Sequence, residues 1–105
     1  MIVRIWRGSA ALSNPSAYPE HFHAAVLPAL RGIAGFRGAS LLRQDRPGEI
    51  EFMVLTRWDS MDAIRAFAGD DPEQAVVEPA AVAALIRFDG RVHHYTVVEE
   101  GAGPG

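Results

Sequence analysis

Phe52-Met53-Val54-Leu55-Thr56-Arg57-Trp58-Asp59-Ser60-Met61-Asp62-Ala63-Ile64-Arg65-Ala66-Phe67-Ala68-Gly69 reads as a β-strand running through a polar cap into an amphipathic helix. β-Branched and aromatic residues fill its first half, and Met61, Ile64, Phe67 and Ala68 recur at helical spacing in its second. Asp59 or Ser60 supplies the cap, because a short polar side chain can accept a hydrogen bond from the first free amides of a helix. Gly69 stops the helix. Trp58 stands at the junction, where a strand end feeding a helix commonly forms a pocket wall.

Upstream, Met1 to Gly8 has the composition of a first strand and carries a second indole, Trp6. A helix is predicted from Ser16 to Leu27, with Tyr18, Phe22, Ala25, Val26, Ala29 and Leu30 near one face. Pro28 is expected to end or kink it, leaving Ala29 to Ile33 as a short further turn. The Gly35-Phe36-Arg37-Gly38 loop opens strand two, about Ala39 to Asp45. Arg46-Pro47-Gly48 then turns the chain into strand three, about Ile50 to Trp58, as a hairpin.

Downstream of Gly69, Asp70-Asp71-Pro72 restarts a helix, and short helical pieces are predicted over 72–77 and 79–86. Asp89-Gly90 is a turn, and Arg91 to Val98 is strand four. The order strand, helix, strand, strand, helix, strand is that of an α+β, ferredoxin-like split βαβ with a four-stranded antiparallel sheet.

A chain of 105 residues makes one domain, here expected over residues 1–98, with a flexible tail over 99–105. A net charge of -3, without a basic run, lacks the footprint of nucleic-acid binding. With no cysteine there is no disulfide, thiolate nucleophile or zinc–cysteine site. The N-terminal apolar run is too short and too interrupted by arginine for a signal peptide, and no stretch approaches a membrane span. A cytoplasmic protein without nucleic-acid or membrane partners is the expectation.

The strands are apolar on both faces. Ile50, Phe52, Val54 and Trp58 share one side of strand three, but Met53 and Leu55 occupy the other. Leu41 and Leu42 face opposite ways, and Tyr95 and Val97 oppose Val92 and Val98. Two helices cover one face of such a sheet, so the second face is predicted to pack on another copy of the chain. A homodimer is expected.

Val54-Leu55-Thr56-Arg57-Trp58-Asp59-Ser60 followed by Ala63 to Gly69 resembles the antibiotic biosynthesis monooxygenase family. Ile5-Trp6-Arg7-Gly8, the Gly35 to Gly38 loop and His94-Tyr95-Thr96-Val97 add to the likeness, which covers about residues 1–98. The resemblance implies a dimeric α/β barrel with a pocket between helices and sheet in each subunit. It also implies cofactor-independent oxygenation of aromatics or haem degradation among its better-known members. The haem degraders carry an Asn, a Trp and a His at positions that align with Trp6, Phe67 and Val77, and all three differ here. The quinone-forming oxygenases place an Asn, a Trp, a Tyr and an Arg around substrate. Of these only Trp58 has a counterpart, the others falling near Val54, Ile64 and Glu78.

Trp58 and His94 are the candidate catalytic residues. An indole offers a flat apolar face and one N–H donor, and an imidazole accepts a phenolic proton at neutral pH. Each has a structural alternative: Trp58 as a plug at the core end of strand three, His94 as a hydrogen-bonded barrel residue. Trp6, Tyr18, Phe22 and Phe67 are the candidate substrate-binding side chains. His21 or Phe22 reaches the pocket depending on helix rotation, and Arg7 and Arg43 are strand arginines able to orient a phenolate or carboxylate. His93 and His94 point to opposite faces and cannot chelate one metal. No metal or cofactor is called for by the spacing of any motif. The functional expectation is a cofactor-free monooxygenase acting on a phenol or hydroquinone-type small molecule. The alternatives are a non-catalytic barrel binding a hydrophobic ligand, or a haem-binding member without the usual degradation triad.

Overall fold

The computed structural model describes residues 1–105. Strand β1 (Ile2–Ala11) leads through a turn into α1 (Ala17–His21), a π-helical turn (Phe22–Val26) and α2 (Leu27–Arg31), which together form one continuous helical arm. The hairpin β2 (Phe36–Arg46) and β3 (Glu49–Trp58) follows, then α3 (Met61–Ala68), α4 (Pro79–Ala84), β4 (Arg87–Phe88) and β5 (His93–Thr96). All pairings are antiparallel, in the order β2-β3-β1-β4, with β5 on the same edge of β1. This is the α+β, ferredoxin-like arrangement predicted from the order of elements.

Three local expectations are corrected. Pro28 does not end the helix. The amide of Leu27 bonds back to Phe22 across the widened π turn, and Pro28 follows at the start of α2, where its missing N–H is tolerated. Residues 72–77 form no helix: Gln74 bridges to Arg91, and the amides of Ala75 and Val92 bond to Gly90 and Glu73. The strand predicted over Arg91 to Val98 is shorter, β5 (His93–Thr96), and an unforeseen two-residue strand, β4, precedes the Asp89-Gly90 turn, the two pairing with separate stretches of β1.

Strand three shows why the strand-to-helix segment dictates the fold. Ile50, Phe52, Val54, Thr56 and Trp58 are buried, whereas the residues between them are half-buried on the opposite face. Ser60 caps α3 by accepting from the Ala63 amide at 3.2 Å, worth about 1 kcal/mol. Gly35 is needed beside it: at φ +89° a side chain is strained, and an added Cβ would meet the Ala63 Cβ at 2.6 Å. The core divides in two. Trp6, Tyr18, Phe22, Phe52 and Val54 belong to one buried cluster, and Leu30, Trp58 and Ile64 form a second.

The far side of the sheet carries Val3, Ile5, Met53 and Leu55, all half-buried within a single chain and covered by no helix. Leu42 and Tyr95 flank them at 45% and 60% exposure. No helix is long and apolar enough to cross a membrane.

Candidate functional site

A cavity lies where the two core clusters fail to meet, with Trp6, Tyr18 and Val54 of one and Leu30 of the other on its walls. The helical arm roofs it, the inner face of β1 and β3 floors it, and Phe67 of α3 and the 76–81 segment close its sides. Its space totals about 620 Å³ including the mouth open to solvent, but water centres can occupy only about 50 Å³. The enclosed part is room for a few waters, and the remainder is open at the mouth.

Trp6 is held by its surroundings. Gly8, next on the same strand face, has its Cβ position only 3.0 Å from the Trp6 ring, so the indole lies where any side chain would collide. Its N–H donates to the Asp89 carbonyl at 2.8 Å, so no donor is left for a ligand. Tyr18 packs between Trp6 and Phe52, with ring centroids 5.6 and 5.7 Å away. Burial, reinforced by the nearby Glu78 carboxylate, pushes the Tyr18 phenol well above its ordinary range, so it stays protonated.

His21, half-buried at the end of α1, lies on the cavity wall 6.1 Å from the Tyr18 ring. Its Nε2 is buried without a hydrogen-bond partner. The π turn that begins at Phe22 sets its direction, since one extra residue in a turn re-phases everything before it.

Arg4 is the residue sequence reasoning passed over. It is only 6% exposed, alternates with Trp6 on the inner face of β1, and borders the cavity. Its Nη2 donates to the carbonyls of Gln74 at 2.8 Å and Pro72 at 3.4 Å, while its guanidinium carbon lies 5.3 Å from the Phe67 ring centre. Burial lowers its pKa to about 10, which leaves it charged at neutral pH. A lone arginine at an inward position of an apolar strand was the available signal.

The expected site residues separate into two groups. Trp6, Tyr18 and Phe67 come together on the cavity wall. Trp58 does not reach it: wholly buried, it stacks behind Phe67 at 5.7 Å and donates to Thr56 Oγ1 at 2.8 Å. Thr56 in turn donates to the Arg4 carbonyl at 3.4 Å, so Trp58 supports two wall residues from behind. Phe22 is likewise buried in the first cluster and absent from the wall. Arg7 and Arg43 are exposed and pair with Asp89 and Asp45.

His94 sits opposite Arg4 in the β1–β5 register, but it lines a separate open depression with Glu73, Arg91 and Tyr95. Its Nε2 also lacks a partner. Burial first, then the charges of Arg4 and His93, hold its pKa below the ordinary histidine value, with Glu73 acting the other way. As pH falls through the normal histidine range, the unfolded chain therefore takes up this proton before the folded one, and stability drops. Thermal melts between pH 7.5 and 5.5 should show a shallower acid-side loss in His94→Gln than in the natural chain; parallel curves would remove His94 from that dependence.

A ferredoxin-like α+β domain with a mostly apolar cavity between sheet and helices defines the class of this protein. Residues 2–79 match the model of the family described as antibiotic biosynthesis monooxygenase, and the chain belongs to that family. A candidate antibiotic biosynthesis monooxygenase from Bacillus cereus shares its fold with a TM-score of 0.70, at 19% identity over 99% of this chain and 97% of that one. A counterpart from Deinococcus radiodurans gives 0.65 at 17% identity, covering 100% of both. The heme-degrader MhuD from Mycobacterium tuberculosis, with two hemes bound in its active site, gives 0.61 at 23% identity over 97% of this chain and 100% of that one. At these identities the likenesses are of fold. No protein of curated function matches the chain.

Proposed function

We propose that the protein is a cofactor-independent monooxygenase acting on an electron-rich phenol or hydroquinone-type aromatic. The observation that supports this most directly is His21, a residue of the cavity wall whose buried Nε2 has no hydrogen-bond partner, beside the rings of Trp6, Tyr18 and Phe67. Such a cavity binds an aromatic ring by apolar burial and ring contact. His21 Nε2 takes the phenolic proton. The anion gives one electron to dioxygen, and the radical and superoxide so formed combine at a ring carbon, ortho or para to the oxygen, that bears a hydrogen. The hydroperoxide loses water to leave a quinone. One oxygen atom enters the product and the other leaves as water, the substrate supplying both electrons. The protein contributes desolvation, orientation and proton transfer.

Oxygen uptake with a panel of hydroquinones and anthrones tests the reading, with one oxygenated quinone formed per dioxygen consumed and no hydrogen peroxide released. Ligands that bind without any uptake would instead make this a non-catalytic binding protein. The position where the resemblance places the haem degraders' histidine is Val77, which has no lone pair for iron, so haem degradation by that route finds no axial ligand there.

The assembly that goes with this function is a homodimer closed over the outer sheet face. Its support is the uncovered Val3, Ile5, Met53 and Leu55, with Leu42 and Tyr95 exposed beside them. Sedimentation at micromolar concentration is expected to show twice the chain mass, and Leu55→Lys to shift it to the monomer. A natural chain that sediments as a monomer would refute the pairing.

A further inference from the structure

Among the cavity's side chains, Arg4 carries a charge with nothing of opposite sign to meet it. Its hydrogen bonds are to two neutral carbonyls, both through Nη2. Nε is buried without a partner, and Nη1 donates to no acceptor. A buried cation left this way is costly unless a counter-charge arrives. The one acid on the cavity wall, Glu78, is exposed and makes no ion pair. The two imidazoles nearby, His21 on the wall and His94 across the strand pair, offer no negative charge. Phe67 lies beneath the guanidinium, and Trp6 and Tyr18 share the same cavity, so the charge borders a space shaped for a ring.

We propose that Arg4 is the anion anchor of the cavity: its ligand is an aromatic ring bearing one ionised oxygen, which accepts from the donors of Arg4 left free. Resting on the oxygenase reading for its identity, that oxygen is a phenolate. A cation beside a bound phenol favours its ionised form. The substrate is thereby held as the electron-rich anion that reacts with dioxygen, and Arg4 makes no covalent bond. An aromatic carboxylate offers the same anchoring chemistry.

A bound 4-nitrophenol reports its own ionisation by absorbance, independently of turnover. In the natural protein it is expected to ionise roughly 1–3 pH units below the free phenol. That displacement should vanish in Arg4→Gln and persist in part in Arg4→Lys. Nitrobenzene, of similar shape but uncharged, should bind at least tenfold more weakly than the phenolate. Tighter binding of 4-nitrobenzoate than of 4-nitrophenolate would keep the anchor and assign it to carboxylates. Undisplaced ionisation in the natural protein, together with equal affinity for nitrobenzene, would overturn the proposal even if Arg4→Gln fails to fold. Glu78→Gln, which removes the one negative charge on the cavity wall, should hold the anion at least as tightly; weaker binding would also count against the anchor. A protein that ionises the phenol yet consumes no oxygen keeps the anchor and loses the oxygenase reading.

Discussion

Trp58→Ala is expected to destabilise the protein by about 3–5 kcal/mol, a large share of the roughly 5–15 kcal/mol that holds a domain of this kind together. The indole is wholly buried in the second core cluster, with Leu30 and Ile64 as its buried neighbours. It meets Phe36 edge-on at 5.4 Å and stacks on Phe67 at 5.7 Å. Truncation leaves a hole between sheet and helices that rigid neighbours fill only in part, and it removes the donor that Thr56 Oγ1 receives. Trp58→Phe should cost less, about 1–2 kcal/mol, because a ring remains while the hydrogen bond is lost. Urea denaturation of the three proteins measures this directly. A Trp58→Ala midpoint equivalent to less than about 1 kcal/mol would show that the cluster repacks. Any loss of turnover in these variants is to be compared with the fraction still folded before a catalytic role is assigned.

The second large effect belongs to His21. His21→Gln should lower oxygen uptake by about 10²-fold, the usual contribution of a positioned general base. Its Nε2 has no hydrogen bond within the protein, so the substitution removes a proton acceptor without breaking a contact at that atom. The denaturation midpoint should therefore stay close to that of the natural chain. His94→Ala supplies the contrast, since His94 adjoins Arg4 from the neighbouring strand and lines the other depression. Rates with His21→Gln within twofold of the natural protein, alongside a collapse in His94→Ala, would transfer the proton to His94.

The elements were legible wherever one local signal dominated. Alternation in Ile50 to Trp58, the turn at Pro47-Gly48 and the Ser60 cap each act over a few residues, and the hairpin and α3 follow from them. Trp6, Tyr18 and Phe67 could be read as pocket residues because large rings on inward positions must either fill a core or bound a space. Whether Trp58 filled or bounded depended on Phe67 lying in front of it, which no spacing rule contains. Arg4 was hidden for a similar reason: its acceptors are carbonyls 68 and 70 residues away. The 72–77 segment carried helix-forming residues, but its amides and carbonyls were taken by Gly90, Val92 and Arg4. Pro28 misled because its effect on a helix depends on the turn before it, and a widened turn is invisible to a 3.6-residue period.

That widened turn also fixes how the arm can vary. Removing a single residue from Phe22–Val26 would restore ordinary winding and swing everything upstream by about 100° around the axis. Tyr18 and His21 would then face away from Trp6 and Val54, while Leu30 stayed where it was. The register of the arm is thus a count of one: a lone deletion separates a chain whose Tyr18 and His21 border the cavity from one with the same fold and a differently lined interior.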